Sequence, residues 1–476
     1  MRVAPPIAIF VALAISSAAV GDTIVLKNGR RIAAENVTED ANHVTYHTPA
    51  GELSIPKSMV ARIDHDDFTY PTASANRSQP PVSTPPVEPL PGFEDVAALV
   101  VRNDGVDYGY LANLDSEAGS GSATAVAKDE VAHHTAAQFL ESKGDTDSAI
   151  SQYRQALIFA PGNSALLMNL ALLYLHESQF TAAIDPLERA RRTSPDSADV
   201  AKLMGWAYYG ANKMDQAIEE WKRAESLRPD PQVEEALRKV ERDKSEEESY
   251  RDGETEHFEL KYYGGAAPDL ARSILRDLEN DFRDLESQLD YTPAEQIAVI
   301  LYTQQAFADI TRAPGWVGAL NDGRLRIPVQ GLTQVTPDLS RVLKHELTHS
   351  FVGQKSHGRA PTWLQEGIAQ WMEGRRSSSV AGALVEAAAQ GKTPALATME
   401  GSWMSLSDSS AAFAYAWSLA VVESIIQAGG VSDISRLLDR VGVSPSCEAA
   451  VEQTLHLNYA DLNQQTAAYL KRAYLR

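Results

Sequence analysis

Hydrophobic and polar positions change period several times along the 476 residues. After Arg2, a short apolar run from Ile7 to Ile15 leads into the small residues Ser16 to Gly21. Residues 22–66 then alternate with period two. Thr23 to Leu26, His43 to Tyr46, Glu52 to Ile55 and Ser58 to Ile63 read as strands, and Asn28-Gly29 reads as a hairpin turn. Four or five short strands predict a small β domain, barrel-like and SH3-like in size. Proline and serine dominate residues 67–92, an extended linker that cannot build a core. Residues 93–129 read as a helical lead-in. Residues 130–231 carry helical periodicity, and a solvated capping helix is expected over 232–252, with Glu246 to Glu248 on its solvent face. From 253 to 476 strands and helices alternate before the chain turns wholly helical. His257 to Tyr263 and Gln296 to Tyr302 predict strands, Pro268 to Gln288 an amphipathic helix, and Gly323 to Val329 an edge strand marked by its proline.

Within 130–231 the pattern recurs every 34 residues. Ala149, Ala183 and Ala217 share one position, Ala156, Ala190 and Ala224 a second, and Pro161, Pro195 and Pro229 a third. A bulky residue lies between the alanines: Tyr153, Leu187 and Trp221. Small residues let paired helices approach, and proline ends the second helix of each pair. The pattern resembles three tetratricopeptide (TPR) repeats, whose small residue is kept at Ala137, Ala171 and Gly205. Pro186 departs from it and is expected to kink its helix. The resemblance implies an α-helical solenoid with a concave face carrying His134, Met168, Leu172, Trp206 and Tyr209. That face suits either a polypeptide partner or the next domain of the same chain.

Composition narrows the setting. With 44% hydrophobic and 22% charged residues, most of the chain can fold. A net charge of −21 argues against nucleic acid and anionic membrane surfaces as partners. The lone cysteine, Cys447, allows no intrachain disulfide and reads as a small buried residue. Residues 1–21 form a secretory signal pattern, with cleavage after Ala19 or Gly21, and no later apolar run is expected to span a membrane. The expectation is a protein exported to a periplasm or secreted, soluble once the signal is cleaved.

The chemistry concentrates between Arg341 and Glu373. His345-Glu346-Leu347-Thr348-His349 is an H-E-x-x-H pattern on a helix that Thr336 caps and Pro337 opens. Its imidazoles stand one turn apart on one face, suited to a single zinc ion, and the glutamate between them can reach a water on that metal. A third ligand is required. Glu366, on a second helix after Ala360-Pro361-Thr362, is the leading candidate, and His357 and Glu373 compete. Gly367 and Ala369 beside Glu366 are expected to let the two helices pack closely. A metzincin would need glycine and histidine where Val352 and Lys355 stand.

His345 to His349 together with Trp363-Leu364-x-Glu366-Gly367-x-Ala369 resembles the gluzincin metallopeptidases, in particular the bacterial peptidase-MA-like domains found after TPR repeats. The resemblance covers roughly residues 256–428. It implies a C-terminal α+β (zincin-like) peptidase domain, one Zn2+ on His345, His349 and Glu366, Glu346 as general base, and an edge strand near Gly323 to Val329 that pairs with substrate. The aminopeptidase branch's Gly-x-Met-Glu-Asn element is absent, since Gly318 to Asp322 stands there, and the spacer before Glu366 is two residues shorter than in that branch. The resemblance therefore implies a zinc endopeptidase acting on polypeptides. Tyr415 is the candidate donor for the developing oxyanion, against a reading as a core tyrosine. The rival function is an exported TPR adaptor, chaperone-like, whose peptidase fold serves as scaffold.

Overall fold

The computed structural model describes residues 21–26, 31–39, 43–48, 51–57, 60–65, 73–74, 93–266, 268–311, 319–329, 331–401, 403 and 408–475. The signal segment, apart from Gly21, and most of the proline-rich linker lie outside the described residues.

Five short strands open the chain: β1 (Gly21–Leu26), β2 (Arg31–Glu39), β3 (His43–Thr48), β4 (Gly51–Pro56) and β5 (Val60–His65). They form an antiparallel sheet in the order β4-β3-β2-β1-β5. Two residues of the linker form strand β6 (Ala73–Ser74), which joins a different sheet. The lead-in holds helices Glu94–Val100 and Tyr108–Ala118 and a minimal hairpin, β7 (Val101–Arg102) with β8 (Gly105–Val106).

Three antiparallel helix pairs follow: Ala123–Lys143 with Thr146–Phe159, Ser164–His176 with Phe180–Thr193, and Ala198–Gly210 with Met214–Leu227. The recurring positions are the interior of this solenoid. Ala137, Ala171, Ala149, Ala183, Ala217, Tyr153, Leu187 and Trp221 are all buried in one core. At Gly205 the close approach is literal, because a Cβ there would stand 2.2 Å from the Trp221 indole. The helix Phe180–Thr193 runs continuously through Pro186.

The capping helix, Pro231–Glu247, differs from expectation. Its outer face is not solvated throughout, because Asp243 and Glu247 are buried. Glu247 accepts two hydrogen bonds of 2.8 Å from the Arg324 guanidinium, and Asp243 accepts bonds of 3.0 and 2.7 Å from Arg326. These pairs fasten the solenoid to the C-terminal domain.

That domain is built on a six-stranded sheet of order β6-β12-β13-β11-β10-β9. Its own strands are β9 (Arg251–Glu254), β10 (Phe258–Tyr262), β11 (Ile297–Tyr302), β12 (Leu320–Asn321) and β13 (Leu325–Pro328). Strands β10, β11 and β13 run parallel, with β11 buried on both faces. The amphipathic helix Pro268–Leu289 packs its apolar stripe, Leu270, Ile274, Leu278 and Phe282, into the main core. The strand expected at the edge is interior, since β13 has β11 on one side and β12 on the other. Pro328 is tolerated because β12 pairs only with Leu325 and Arg326, so the missing N–H falls beyond that ladder. Beyond β13, β12 carries β6 on its outer side in parallel register, Leu320 opposite Ala73 and Asn321 opposite Ser74, so the linker strand β6 is the edge of the sheet.

Helices complete the domain. Residues Ser410–Gly429 of helix Asp408–Gly429 are long and apolar enough to cross a membrane by length and composition alone, but 61% of that stretch is buried inside the domain. Here that helix packs against Thr362–Met372, Val431–Val443 and Tyr459–Tyr474, as a core element of the domain. Cys447 is buried as expected, and burial pushes its thiol up to about 12.

Candidate metal centre

Helix Pro337–Lys355 (the histidine helix) starts as its sequence dictates, with the Thr336 hydroxyl accepting from the Leu339 N–H at 3.1 Å and Pro337 in the first turn. Leu339, Leu343, Leu347 and Phe351 are fully buried, which sinks the motif into the domain. Helix Thr362–Met372 (the glutamate helix) returns alongside it. Its Gly367 approaches a different neighbour from the one expected. A Cβ there would lie 2.5 Å from the Ser418 carbonyl and 2.6 Å from Val422, so the glycine seats the glutamate helix on Asp408–Gly429. The histidine helix needs no such allowance at this position.

The two helices bring His345, His349 and Glu366 together, with one ligand atom from each lying within 4.8 Å of the others. Nε2 of His345 stands 3.4 Å from Glu366 Oε2, and Nε2 of His349 stands 3.7 Å from Oε1. Two imidazole nitrogens and a carboxylate facing one point form a zinc-compatible donor set. Glu346 is completely buried and, among the described residues, neither of its carboxylate oxygens has a hydrogen-bond partner. An ionised group so placed is costly unless a cation or polar ligand faces it. Burial first, then the charges of Glu366 and Glu373, raise its pKa to about 8, with His345 opposing.

The two competing ligands have other roles. Nδ1 of His345 faces Glu373 Oε1 at 3.6 Å, and that oxygen lies 2.7 Å from Arg375 Nε. Glu373 thus stands behind the histidine, where it can orient the ring. Burial works against the His345 imidazolium, but Glu373 and Glu366 outweigh it and hold the pKa at about 10. His357 points away to the solenoid, its Nδ1 2.6 Å from Glu177.

Tyr415 lies close enough to feel the carboxylates of Glu366 and Glu346. Burial and those charges push its phenol well above the ordinary range, so it keeps its proton. Trp403 packs edge-on to its ring at 5.0 Å. Gln370 holds this neighbourhood together, its Nε2 donating to the carbonyls of Glu366 at 3.1 Å and Tyr415 at 3.0 Å.

Asn321 was not singled out by the sequence. From β12 its Nδ2 donates to the Glu346 carbonyl and to Ser350 Oγ, each at 2.7 Å. It ties β12 to the histidine helix on either side of His349. The only advance signal was its place after Gly318-Ala319-Leu320.

The concave-face residues divide. His134 and Leu172 are interior to the solenoid, where Asn169 Nδ2 lies 3.3 Å from His134 Nε2 and burial lowers that histidine to about 4. Met168 packs against the same core. Trp206 and Tyr209 instead line a cavity of about 80 Å³ that they share with Ile297, Arg324, Ser350 and Gln354 of the C-terminal domain. Asn212 and Glu259, and Thr181 N–H and Glu295 Oε1, are hydrogen-bonded across the same junction. The solenoid therefore seats its neighbouring domain.

Comparison with known proteins agrees in outline. A family model described as Peptidase MA superfamily matches residues 289–472, and two tetratricopeptide-repeat models match 134–198 and 174–240. The chain thus contains a TPR region and a Peptidase MA superfamily domain. None of the curated proteins compared matches it. Among solved structures, it is similar to the first TPR domain of the human RPAP3 protein, at 19% identity over 28% of this chain and 89% of that one, with a TM-score of 0.21. It is also similar to MamA 41-end from Desulfovibrio magneticus RS-1, at 19% identity over 32% and 88%, TM-score 0.25. A third is MamA MSR-1 C2, at 21% identity over 29% and 86%, TM-score 0.24.

Proposed function

We propose that this chain is an exported zinc-dependent endopeptidase acting on polypeptides of the cell envelope, with its repeats serving to seat the catalytic domain. The observation that carries the proposal is the convergence of His345, His349 and Glu366 within 4.8 Å, beside the unpartnered, fully buried Glu346. The residues fit a single zinc ion, held by the two imidazoles and Glu366. When bound, zinc supplies Lewis-acid polarisation of a carbonyl and acidifies a water.

The protein's own groups then divide the work. Glu346 has the position and the raised affinity for protons of a general base: it takes a proton from water and returns it to the leaving amine. Glu373 orients His345 through Nδ1, which fixes Nε2 as the lone pair facing Glu366. Tyr415, kept protonated, offers an O–H to charge building on a carbonyl oxygen. Asn321 sets the distance between β12 and the base. An extended polypeptide would lie along the outer side of β12, beside the histidine and glutamate helices, in the place β6 now takes.

Junction contacts at Asn212, Thr181 and Glu177 support intramolecular seating over a free client groove, and so disfavour the adaptor reading. Export rests on the signal pattern of residues 1–21. Cleavage after Ala19 rather than Gly21 would spare the Gly21–Glu35 pair that opens the first sheet.

The test is metal content together with hydrolysis of an unstructured protein substrate. Purified protein should hold zinc at the motif, and His349→Ala should lose that zinc and the hydrolysis together. Hydrolysis undiminished in His349→Ala would end the proposal.

A further inference from the structure

A second cluster of metal-ligating side chains lies far along the chain from the first, at the start of the solenoid. Asp115 projects from lead-in helix Tyr108–Ala118, and Asp129 and His133 from one face of Ala123–Lys143. One ligand atom from each of the three lies within 4.8 Å of the others. Nε2 of His133 stands 3.0 Å from Asp115 Oδ1 and 3.6 Å from Asp129 Oδ1.

Three independent features point to a cation there. Asp129 is fully buried, and neither oxygen has a hydrogen-bond partner among the described residues. The ring of His133 is oriented from behind, because Gln152 Oε1 accepts from Nδ1 at 2.8 Å. A neutral ring so held carries its lone pair on Nε2, aimed at the two carboxylates. Finally, the two aspartates face one another. One oxygen of each lies within 4.8 Å of the other, so two like charges stand close together. Two carboxylates and one imidazole thus converge on a single point.

We infer that Asp115, Asp129 and His133 bind a divalent transition-metal ion of the zinc class, which locks the lead-in helix onto the first repeat. Two carboxylates and one imidazole balance a doubly charged ion. The imidazole favours zinc over calcium or magnesium, which prefer all-oxygen sites. Asp115 has a third of its side chain exposed, which gives the ion a way in and leaves room for water ligands. The alternative occupant is a proton shared among the three groups.

The test is zinc counting on the full chain, loaded with Zn2+, desalted and measured by mass spectrometry. Wild type is expected to hold two zinc ions. Asp129→Asn and Asp115→Asn should each hold one, His349→Ala should hold one, and His349→Ala combined with Asp129→Asn none. Far-UV circular dichroism establishes that each variant is folded, and Asp115→Asn, partly exposed, serves if the buried variant is not. Zinc should also raise the melting temperature of His349→Ala, and this rise should vanish in the double variant. The inference is overturned if folded Asp115→Asn or Asp129→Asn holds as much zinc as wild type. Because the two sites are removed separately, one zinc retained in wild type and lost only with Asp129→Asn would overturn the peptidase reading and leave this one standing.

Discussion

Nδ1 of His345 lies 3.6 Å from Glu373 Oε1, on the side of the ring opposite Glu366. A carboxylate in that place fixes the tautomer and raises the basicity of the ligating nitrogen. Glu373→Gln should therefore weaken zinc binding about 10- to 100-fold while leaving the three ligands in place. Competition with a fluorescent chelator measures this directly. Unchanged affinity would mean that Glu373 is a structural ion-pair partner of Arg375 alone.

The proton inventory of the metal-free centre gives a second prediction. His345 is held at about 10 and Glu346 at about 8, so both carry protons at neutral pH. Zinc can take the His345 lone pair only as that proton leaves, so calorimetry in buffers of different ionisation enthalpy should show about one proton released per zinc at pH 7. Stability runs the same way. The His345 contribution is full below its unfolded value of 6.5 and is lost as pH rises through about 10. Glu346, raised from 4.5, loses stability between 4.5 and about 8. Metal-free protein should melt at progressively lower temperature from pH 6 to pH 9, and saturating zinc should flatten that slope.

Gly367 sits where a Cβ would stand 2.5 Å from the Ser418 carbonyl. Backbone cannot yield as a flexible side chain can, so Gly367→Ala should destabilise by about 1–3 kcal/mol. Because Glu366 is its neighbour, zinc affinity should fall as well. Thermal melting with and without zinc separates the two effects.

The buried arginines fasten the solenoid's capping helix to the C-terminal domain. Arg326 is fully buried and bonds Asp243, Asp322 and Tyr302. Arg326→Met leaves Asp243 only the longer 3.5 Å contact from Arg324, while Asp322 keeps Lys239 at 2.6 Å, and should cost about 3 kcal/mol. Replacing Arg326 and Asp243 together with apolar residues should recover part of the loss, read by denaturant unfolding.

Strand β6 occupies the outer side of β12. Replacing both Ala73 and Ser74 with proline removes every N–H this segment can offer to the ladder. Opening that edge should raise kcat/KM for a long peptide several-fold and leave a dipeptide-sized substrate unaffected. Equal rates in the variant and wild type would show that β6 does not compete with substrate.

The elements with strong periodicity were legible in the sequence: the three helix pairs, the capped histidine helix, and the strands at Phe258 and Ile297. So was the convergence of His345, His349 and Glu366, because i,i+4 spacing and a returning helix are local properties. What was hidden depends on contacts between distant segments. The pattern of Pro231–Glu247 shows a polar face at Asp243 and Glu247, but not that two arginines cover it. Strands β12 and β6 have two residues each, too few to show a period, so β13 read as the edge. Gly367 declared a close approach, but to the helix Asp408–Gly429 and not, as expected, to the histidine helix. Asp129 and His133 carried a visible i,i+4 spacing, but Asp115 joins them only through helix packing.

The central claim is that Glu346 performs general-base chemistry at a zinc ion held by His345, His349 and Glu366. Glu346→Gln keeps size and shape and removes only the basic carboxylate. The decisive measurement is the rate of cleavage of an unstructured protein substrate by zinc-loaded wild type and Glu346→Gln, with zinc at the motif quantified in both. The account predicts equal zinc and a rate lowered by about 10²–10⁴. Equal zinc with an unchanged rate would contradict it.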